Sequence, residues 1–498
     1  MSLPPGSEDF FRGRLDQMID LRRPLAQLTL RMPWQALEAS IATQFARKVR
    51  AGKRIDDMDL FGGPVGLAGA LPPSRAGRPR LPLRLMISLL YLKHAFNESD
   101  EGVVERWSET PIWQYFSGLE YFEDRFPCDP TMLVKFRRAL GDEGVEELLA
   151  QTVNAAVDLK PICAQDLQRI IVDTTVQEKA IAHPTDSRLL ETARAKLLLA
   201  AKAAGVALKQ NYAAEGSQLQ FSAGRYAHAR QFRRMRRMIR RQRTLLGRLL
   251  RETQRKVALP TTVLREVYAK VLQLLEQTSK RRTDKPELYS WHAPEVQCIN
   301  KGKSRQPYEF GAKVGIAATL QGNLVVGARA FTSSPYDGHT LAEQLEQAGI
   351  LMQDTGMKPA EVSVDLGYRG VDAANPGVKI IHRGWIRSMD DRERRQLARR
   401  QAIEPIIGHL KADHRMGRCH LKGELGDRLQ AVVCAAGYNL RWLMRNLAKK
   451  PRKVFFGPAA DRRSGREQRT SRVVRRPCAP HRAGEGLKRG ENGFIRDD

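Results

Sequence analysis

Apolar residues recur at helical spacing through the first 150 residues. Phe10, Phe11, Leu15, Met18 and Ile19 follow this spacing, and a second helix is predicted after Pro33. Intervals of three and four residues place apolar side chains on one face of a helix. Four further helices are predicted at 83–95, 102–110, 112–118 and 131–140. The pattern therefore predicts an all-α N-terminal part, divided into a helical region 1–70 and a helical domain 71–155.

A different pattern begins near residue 167. Short apolar runs predict strands at 167–174, 310–319, 324–331, 361–365 and 378–382, with helices at 340–353 and 392–415. The turn Gln321-Gly322-Asn323 joins the second and third strands as a hairpin. Three antiparallel strands that continue into parallel ones are the order of an RNase H-like fold. We expect an α/β RNase H-like domain over 160–450.

Residues 186–285 interrupt this α/β rhythm with helical patterns. Leu245, Leu246, Leu249 and Leu250 form an apolar stripe, and a second amphipathic helix is predicted after Pro260. Residues 225–256 contain thirteen Lys/Arg and one acid. Such a run of cations is self-repelling without an anionic partner. We expect a basic helical hairpin inserted into the α/β domain.

The charge of the whole chain also indicates an anionic partner. Lys plus Arg number 84 against 55 acids, a net charge of +29. A strongly basic surface attracts nucleic acid. Residues 451–498, with thirteen Lys/Arg and six acids, predict a disordered basic tail. Gly77-Arg78-Pro79-Arg80, in the Pro-rich segment 71–82, resembles the core of an AT-hook, although a plain linker is the simpler interpretation.

The helices of 82–150 leave two interpretations open. Lys135, Arg137 and Arg138 follow the helix start Asp129-Pro130-Thr131, which suits a helix-turn-helix-like DNA reader. An ordinary helical bundle with solvated basic residues fits equally well, because helical pairs are common.

The cysteines, the N-terminus and the apolar runs indicate where in the cell the protein is expected. The six cysteines have no CxxC pair, and His409, His414, Cys419 and His420 fit no standard zinc spacing. The N-terminus does not resemble a signal peptide, and no apolar run is long enough for a membrane span. We expect a cytoplasmic protein, associated with the nucleoid and not with a membrane.

Three acidic residues stand in settings that suit metal chemistry. Asp173 closes the run Ile170-Ile171-Val172, Asp365 closes Val362-Ser363-Val364, and Glu404 lies in a basic helical segment. Two strand-end aspartates and a helical glutamate can hold two divalent ions, which clamp the attacking and leaving oxygens of a phosphodiester. Offsets of four and seven place Arg400, Glu404 and Lys411 on one helical face; alone, this would be a surface pair worth a few tenths of a kcal/mol.

These motifs resemble the DDE transposases of bacterial insertion sequences, in the IS-four/IS-five superfamily. Val-Asp-Thr-Thr around Asp173 is similar to the first-aspartate motif, and Val-Asp-Leu-Gly-Tyr-Arg-Gly around Asp365 to the second. Arg400-x3-Glu404-x6-Lys411 matches three of the four residues of the family's Y-x2-R-x3-E-x6-K signature, with Leu397 in place of the tyrosine. The segment from about 70 to 150 is similar to the family's N-terminal DNA-binding domain.

The resemblance implies an activity and its residues. Asp173, Asp365 and Glu404 would be catalytic and bind two Mg²⁺ ions, for which Mn²⁺ can substitute. Arg400 and Lys411 would position the terminal phosphates, and Tyr368 and Arg369 would contact DNA beside the cut. The partners implied are double-stranded DNA, as element ends and as target, and a second copy of the chain in a homodimeric synaptic complex.

Some candidates keep a structural alternative. His414 and Arg415 are expected to continue the basic DNA-binding surface. Asp337-Gly338-His339 could lie near the site or simply start a helix. His183 is expected in a loop, and Trp291 and Trp385 in the core rather than stacked on flipped bases. Trp107, Trp113 and Trp442 are likewise expected in the core.

Two other functions remain open beside the transposase interpretation. One is a structure-specific DNA nuclease on the same fold. The other is a DNA-binding protein whose catalysis has been lost.

Overall fold

The computed structural model describes residues 13–45, 81–279, 287–300, 307–371, 375–385, 387 and 389–449. The AT-hook-like residues 77–80 and the tail 451–498 lie outside the described residues.

The N-terminal part is helical, as its periodicity predicts. Pro24, Ser99, Pro111 and Pro130 stand at helix starts, where Pro loses no intrahelical hydrogen bond and Ser caps a free amide. The helices are α1 (Leu15–Met18), α2 (Pro24–Thr29), α3 (Trp34–Ala42), α4 (Leu83–Ala95), α5 (Asp100–Glu109), α6 (Pro111–Phe116) and α7 (Pro130–Asp158).

Helix α7 is longer than the sequence predicts. The pattern ends a helix at residue 140, but the chain continues to Asp158 through a kink at Gly141, whose φ is +63°. Glycine adopts this left-handed conformation at little cost. Beyond the kink Val145, Leu148 and Leu149 are buried, so packing against the rest of the molecule stabilises the second half.

A mixed sheet follows. Its strands are β1 (Arg169–Lys179), β2 (Gln297–Asn300), β3 (Tyr308–Thr319), β4 (Val325–Phe331), β5 (Glu361–Ser363), β6 (Lys379–Ile381) and β7 (Arg418–Cys419). β3 pairs antiparallel with β1, β2 and β4. β5 pairs parallel with β1 and with β6. The path β4–β3–β1–β5–β6 therefore has three antiparallel strands that continue into two parallel ones. The short strands β2 and β7 are additions that the sequence pattern did not predict.

The insertion is a four-helix subdomain rather than a hairpin. Its helices are α8 (Asp186–Ala203), α9 (Ala213–His228), α10 (Phe232–Lys256) and α11 (Thr262–Gln277). Leucines of α8 and α10 form a core of their own with Leu264, Tyr268 and Val271 of α11. Trp291 is half-buried against this core.

The last helices are α12 (Leu341–Leu351), α13 (Asp391–Arg399), α14 (Ile403–Asp413) and α15 (Gly423–Lys449). The single helix expected at 392–415 is divided, because Arg400–Ala402 form a 3-10 turn between α13 and α14. Helix α15 contacts α4, α7 and β4. One hydrophobic core consequently extends from the N-terminal helices through the sheet to α15, and it includes Leu37, Leu90, Ile171, Val326 and Leu440.

Candidate active site

The register of the parallel strands brings Asp173 and Asp365 together. Ile171 of β1 pairs with Ser363 of β5 in the last recorded step of their ladder. Asp173 and Asp365 each lie two residues further along, so they occupy equivalent positions on neighbouring segments. Alternation along a strand places both side chains on one face of the sheet. Asp173 is not at a strand end as predicted, because β1 continues to Lys179.

Arg400 joins the two aspartates. One guanidinium nitrogen, Nη1, lies 3.5 Å from Oδ2 of Asp173, and Nη2 lies 3.6 Å from Oδ1 of Asp365. The Arg400 side chain is 9% exposed, against 25% for Asp173 and 53% for Asp365. These distances are long for hydrogen bonds, so the attraction is mainly between charges. A buried cation therefore offsets the repulsion between two neighbouring carboxylates.

Glu404 and Lys411 are placed differently from the expectation. Both lie on α14, with Glu404 exposed in its first turn and Lys411 half-buried. Arg400 is buried in the 3-10 turn before this helix. The single uninterrupted α-helix expected to carry Arg400, Glu404 and Lys411 is therefore divided, with Arg400 in the 3-10 turn and the other two residues on α14. Helix α14 nevertheless contacts β1, the strand that carries Asp173.

The acidic residues do not form a ready-made metal cage. Within the described residues, no group of three His, Cys, Asp or Glu side chains is arranged to hold a metal ion. Asp173 and Asp365 fit part of such a site, because carboxylate oxygens are the ligands that Mg²⁺ prefers. Glu404, the expected third ligand, is exposed on α14, and the guanidinium of Arg400 contacts both aspartates.

Asp337 lies beside the site, which is one of the two positions that the sequence left open for it. Its Oδ1 accepts hydrogen bonds from the hydroxyl of Thr174 at 2.8 Å and from Nζ of Lys313 at 2.9 Å. Asp337 opens the 3-10 turn that precedes α12, but its side chain does not cap that turn. Thr174 follows Asp173 directly, so Asp337 and Lys313 hold the start of α12 against the strand of the first aspartate. Only the strand register could have revealed this contact.

Tyr368 cannot contact DNA as expected, because it is 1% exposed. It lies three residues after Asp365, in a 3-10 turn. Burial raises the pKa of Tyr368, and the carboxylates of Asp173 and Asp337 raise it further. The phenol therefore stays protonated, buried within reach of the charges of these carboxylates. Arg369, the next residue, is exposed.

His414 and Arg415 also differ in accessibility. His414 is buried, with Nδ1 2.8 Å from the carbonyl oxygen of His94, so it does not belong to a basic surface. Arg415 is half-buried and donates a hydrogen bond of 3.1 Å to the carbonyl of Asn97. Both residues thus tie the segment after α14 to the end of α4.

The basic helix α7 is only partly available to DNA. Lys135 and Arg138 are exposed. Arg137 is 2% exposed and donates two hydrogen bonds, of 2.7 and 2.6 Å, to the carboxylate of Asp100. Arg137 is therefore part of the packing between α5 and α7 and is not a surface cation.

The remaining candidates agree with the structural alternatives. His183 lies in a loop, in edge-to-face contact with Phe310. Trp107, Trp113 and Trp442 are buried. The side chain of Trp385 lies outside the described residues. In the part of the chain that the structure describes, no helix is long and apolar enough to cross a membrane.

Comparison with known proteins finds one matching domain and one similar protein. A transposase domain, DUF772, matches residues 66–139, which include α4, α5, α6 and the first part of α7. An uncharacterized protein of Rhizobium meliloti, ORF8 in the nfe locus, is 40% identical over 230 residues, which are 46% of this chain and 96% of the relative. No solved structure matches the chain significantly. The chain therefore carries a transposase domain in its N-terminal helices, and it belongs to the same family as this uncharacterized rhizobial protein.

Proposed function

We propose that the protein is a DDE transposase with an RNase H-like catalytic domain. In this proposal it binds the terminal inverted repeats of its element, cleaves DNA there and joins the ends to target DNA. The observation that carries the proposal is that Asp173 and Asp365 lie at equivalent positions, two residues beyond the last pair of the parallel ladder between β1 and β5, in a chain that carries a transposase domain. The path of three antiparallel and two parallel strands supports the RNase H-like assignment.

We assign the reaction to Asp173, Asp365 and Glu404. The two aspartates supply neighbouring carboxylates, and Glu404 is the acidic residue of the first turn of α14, which contacts β1. When bound, a pair of Mg²⁺ ions would activate water or a 3′-hydroxyl and stabilise the leaving 3′-oxygen. Mn²⁺ has similar ligand preferences and is expected to substitute.

Basic residues would hold the DNA strand at this site. Arg400 already lies between the two aspartates, and its planar fork suits a phosphate as well as a carboxylate. Lys411 and exposed Arg369 are further phosphate contacts in this proposal, with Arg415 at the margin. The natural substrate is double-stranded DNA, and two ends are brought together by a homodimer in the cytoplasm at the nucleoid.

A strand-transfer assay tests the proposal. Purified protein is incubated with Mg²⁺ or Mn²⁺, labelled duplexes that carry the element's own terminal repeats, and a target plasmid. Asp173→Asn, Asp365→Asn and Glu404→Gln should each abolish nicking and joining, with a loss of at least about 1000-fold, the scale of losing one member of a catalytic unit. Asp354→Asn, an exposed residue before β5, is the matched control and should retain activity.

The outcomes separate the competing functions. Cleavage without joining would assign the protein to the nucleases of the same fold. DNA binding with neither reaction, under both metals, would leave a DNA-binding protein without catalysis. Loss of activity in Asp337→Asn together with retention in Glu404→Gln would move the third acidic role from α14 to the start of α12.

A further inference from the structure

The N-terminal half of α10 extends beyond the core of the inserted subdomain. Leu245, Leu246, Leu249 and Leu250 are buried against α8 and α11. From Phe232 to Arg241, by contrast, every residue is exposed or half-buried. This half of the helix lies along α9 and presents most of its surface to solvent.

Arginines occupy the face opposite the buried leucines. At 100° per residue, Arg233, Arg237, Arg240, Arg251 and Arg255 all fall on the side away from Leu249, and all five are exposed. We call these residues the arginine stripe. From its first to its last member the stripe is about 33 Å long at 1.5 Å per residue. This is close to one turn of B-DNA, roughly 34–36 Å.

The charge of the stripe is little compensated within the described chain. The ion pairs recorded for α10 in the described residues are Arg241 with Glu215 and Lys256 with Glu252, and neither involves a member of the arginine stripe. Like charges three or four residues apart destabilise a helix. Such repulsion is relieved when a polyanion lies along the helix, and arginine is the cation best suited to phosphate oxygens.

Aromatic side chains accompany the cations where α9 ends and α10 begins. Phe221 of α9 is 66% exposed and Phe232 of α10 is 50% exposed. The guanidinium of Arg225 lies 5.8 Å from the ring centre of Phe221, and that of Arg234 lies 5.9 Å from Tyr226. Large exposed rings among arginines are typical of surfaces that contact both the backbone and the bases or sugars of nucleic acid.

We propose that the arginine stripe of α10 binds the phosphate backbone of double-stranded DNA, as a site separate from the three acidic residues. The proposal rests on the proposed DNA substrate and adds the surface that holds the duplex outside the reaction centre. Contacts of this kind give affinity without reading sequence. The insertion then serves as a DNA clamp, and its binding does not depend on catalysis.

The test compares two triple variants of the full chain. One carries Arg233→Gln, Arg237→Gln and Arg240→Gln in the arginine stripe. The control carries Lys196→Gln, Lys202→Gln and Arg265→Gln, three exposed cations of α8 and α11 in the same subdomain. Both variants lose three positive charges. Binding to a labelled random-sequence DNA duplex is measured by fluorescence anisotropy over a series of NaCl concentrations.

The slope of log Kd against log salt is the deciding readout. Each phosphate contact contributes about 0.9 to this slope. The stripe variant should lower the slope by about 2 to 3 and weaken binding at least about tenfold, whereas the control should change little. Arg→Lys at the same three positions should restore most of the slope, because the charge returns. Circular dichroism spectra equal to wild type exclude unfolding as the cause.

Other outcomes overturn the proposal or separate it from the catalytic one. Equal slopes in the stripe variant and the control would overturn it, as would tighter binding of a single-stranded RNA of equal length, or no binding of wild type to duplex DNA. If the stripe variant loses the slope while wild type shows no nicking or joining, the clamp stands and the proposed catalysis fails. If wild type joins DNA and the stripe variant binds normally, the clamp fails alone.

Discussion

Among single residues, Arg400 connects the two aspartates of the candidate site. Its side chain is 9% exposed and lies within 3.6 Å of a carboxylate oxygen on each of two aspartates. In Arg400→Gln the two carboxylates lose the cation that contacts both of them. We expect the free energy of unfolding to fall by about 1–2 kcal/mol, less than for a fully buried pair because solvent screens Asp365. Urea unfolding monitored by circular dichroism measures the change.

The same variant tests the affinity of the aspartates for metal. A divalent cation stabilises the form that binds it, and in Arg400→Gln it no longer competes with a guanidinium. Millimolar Mg²⁺ should therefore raise the Tm of Arg400→Gln more than that of wild type. Arg395→Gln, an exposed residue of α13, is the control. An identical Mg²⁺ response in all three proteins would show that Arg400 does not compete with the ion for the aspartates.

The sequence singles out Asp173 and Asp365 because each closes an apolar run with a charge. The sequence could not predict which side chains contact these two aspartates. Asp337 meets Thr174 and Lys313 only because β1 and β3 pair in one register. A residue 163 positions away in the chain has no local signal of that neighbour.

Among elements, the three helices α4, α5 and α7 are joined by a buried ionic cluster. Asp100 of α5 accepts hydrogen bonds from Lys93 of α4 and Arg137 of α7. Burial alone would raise the pKa of Asp100, but the hydrogen bonds and charges of these two cations hold it well below its usual range. Burial lowers the pKa of Lys93 to about 8. The cluster therefore contributes stability that is present above about pH 4 and is lost as pH falls through the lowered pKa of Asp100.

Asp100→Asn should destabilise the fold strongly. It leaves two buried cations without a counter-charge, which costs about 3–5 kcal/mol. Arg106→Gln removes one partner of an exposed pair with Glu98 and should cost no more than about 1 kcal/mol. Chemical denaturation at neutral pH compares the two variants. Equal costs would mean that the buried cluster adds nothing beyond a surface pair.

Element bounds are predictable where local pattern and tertiary packing agree. The periodicity predicts a helix at 83–95, and α4 has these bounds. The periodicity does not predict that α7 continues through the kink at Gly141, or that a 3-10 turn begins at Arg400 where α13 ends. In the first case packing extends a helix past a residue that local propensity disfavours. In the second, Arg400 is buried against two aspartates, and the turn there divides the expected helix.

At the scale of the whole molecule, the N-terminal helices and the sheet share one core, while the insertion has another. The sequence predicts an N-terminal domain separate in the chain from the α/β domain. It could not predict that α15, the last described helix, packs on α4 and α7. Composition and periodicity identify apolar faces but not which distant face covers them. We call the contact between α4 and the C-terminal part of the α/β domain the junction. It contains two buried histidines, His94 of α4 and His414, which are joined by a hydrogen bond.

These two histidines make the junction sensitive to acid. Burial lowers the pKa of His414 to about 4 and that of His94 well below 6.5, where nearby Lys93 and Arg137 lower it further. Unfolded histidines bind protons near pH 6.5, so the free energy of unfolding is at its full value above that pH and falls as pH decreases toward the folded-state pKa. Each histidine should lower the free energy of unfolding by about 1.4 kcal/mol per pH unit in this range.

The variant His414→Gln tests this dependence on pH. Urea unfolding at about pH 7, 6 and 5 measures how the free energy of unfolding depends on pH. This pH slope should be smaller for His414→Gln than for wild type, whatever the stability of the variant at pH 7. Exposed His183→Gln should keep the wild-type slope. If His414→Gln kept the wild-type slope too, the acid sensitivity would not arise from His414, and His94 or carboxylates elsewhere would have to supply it.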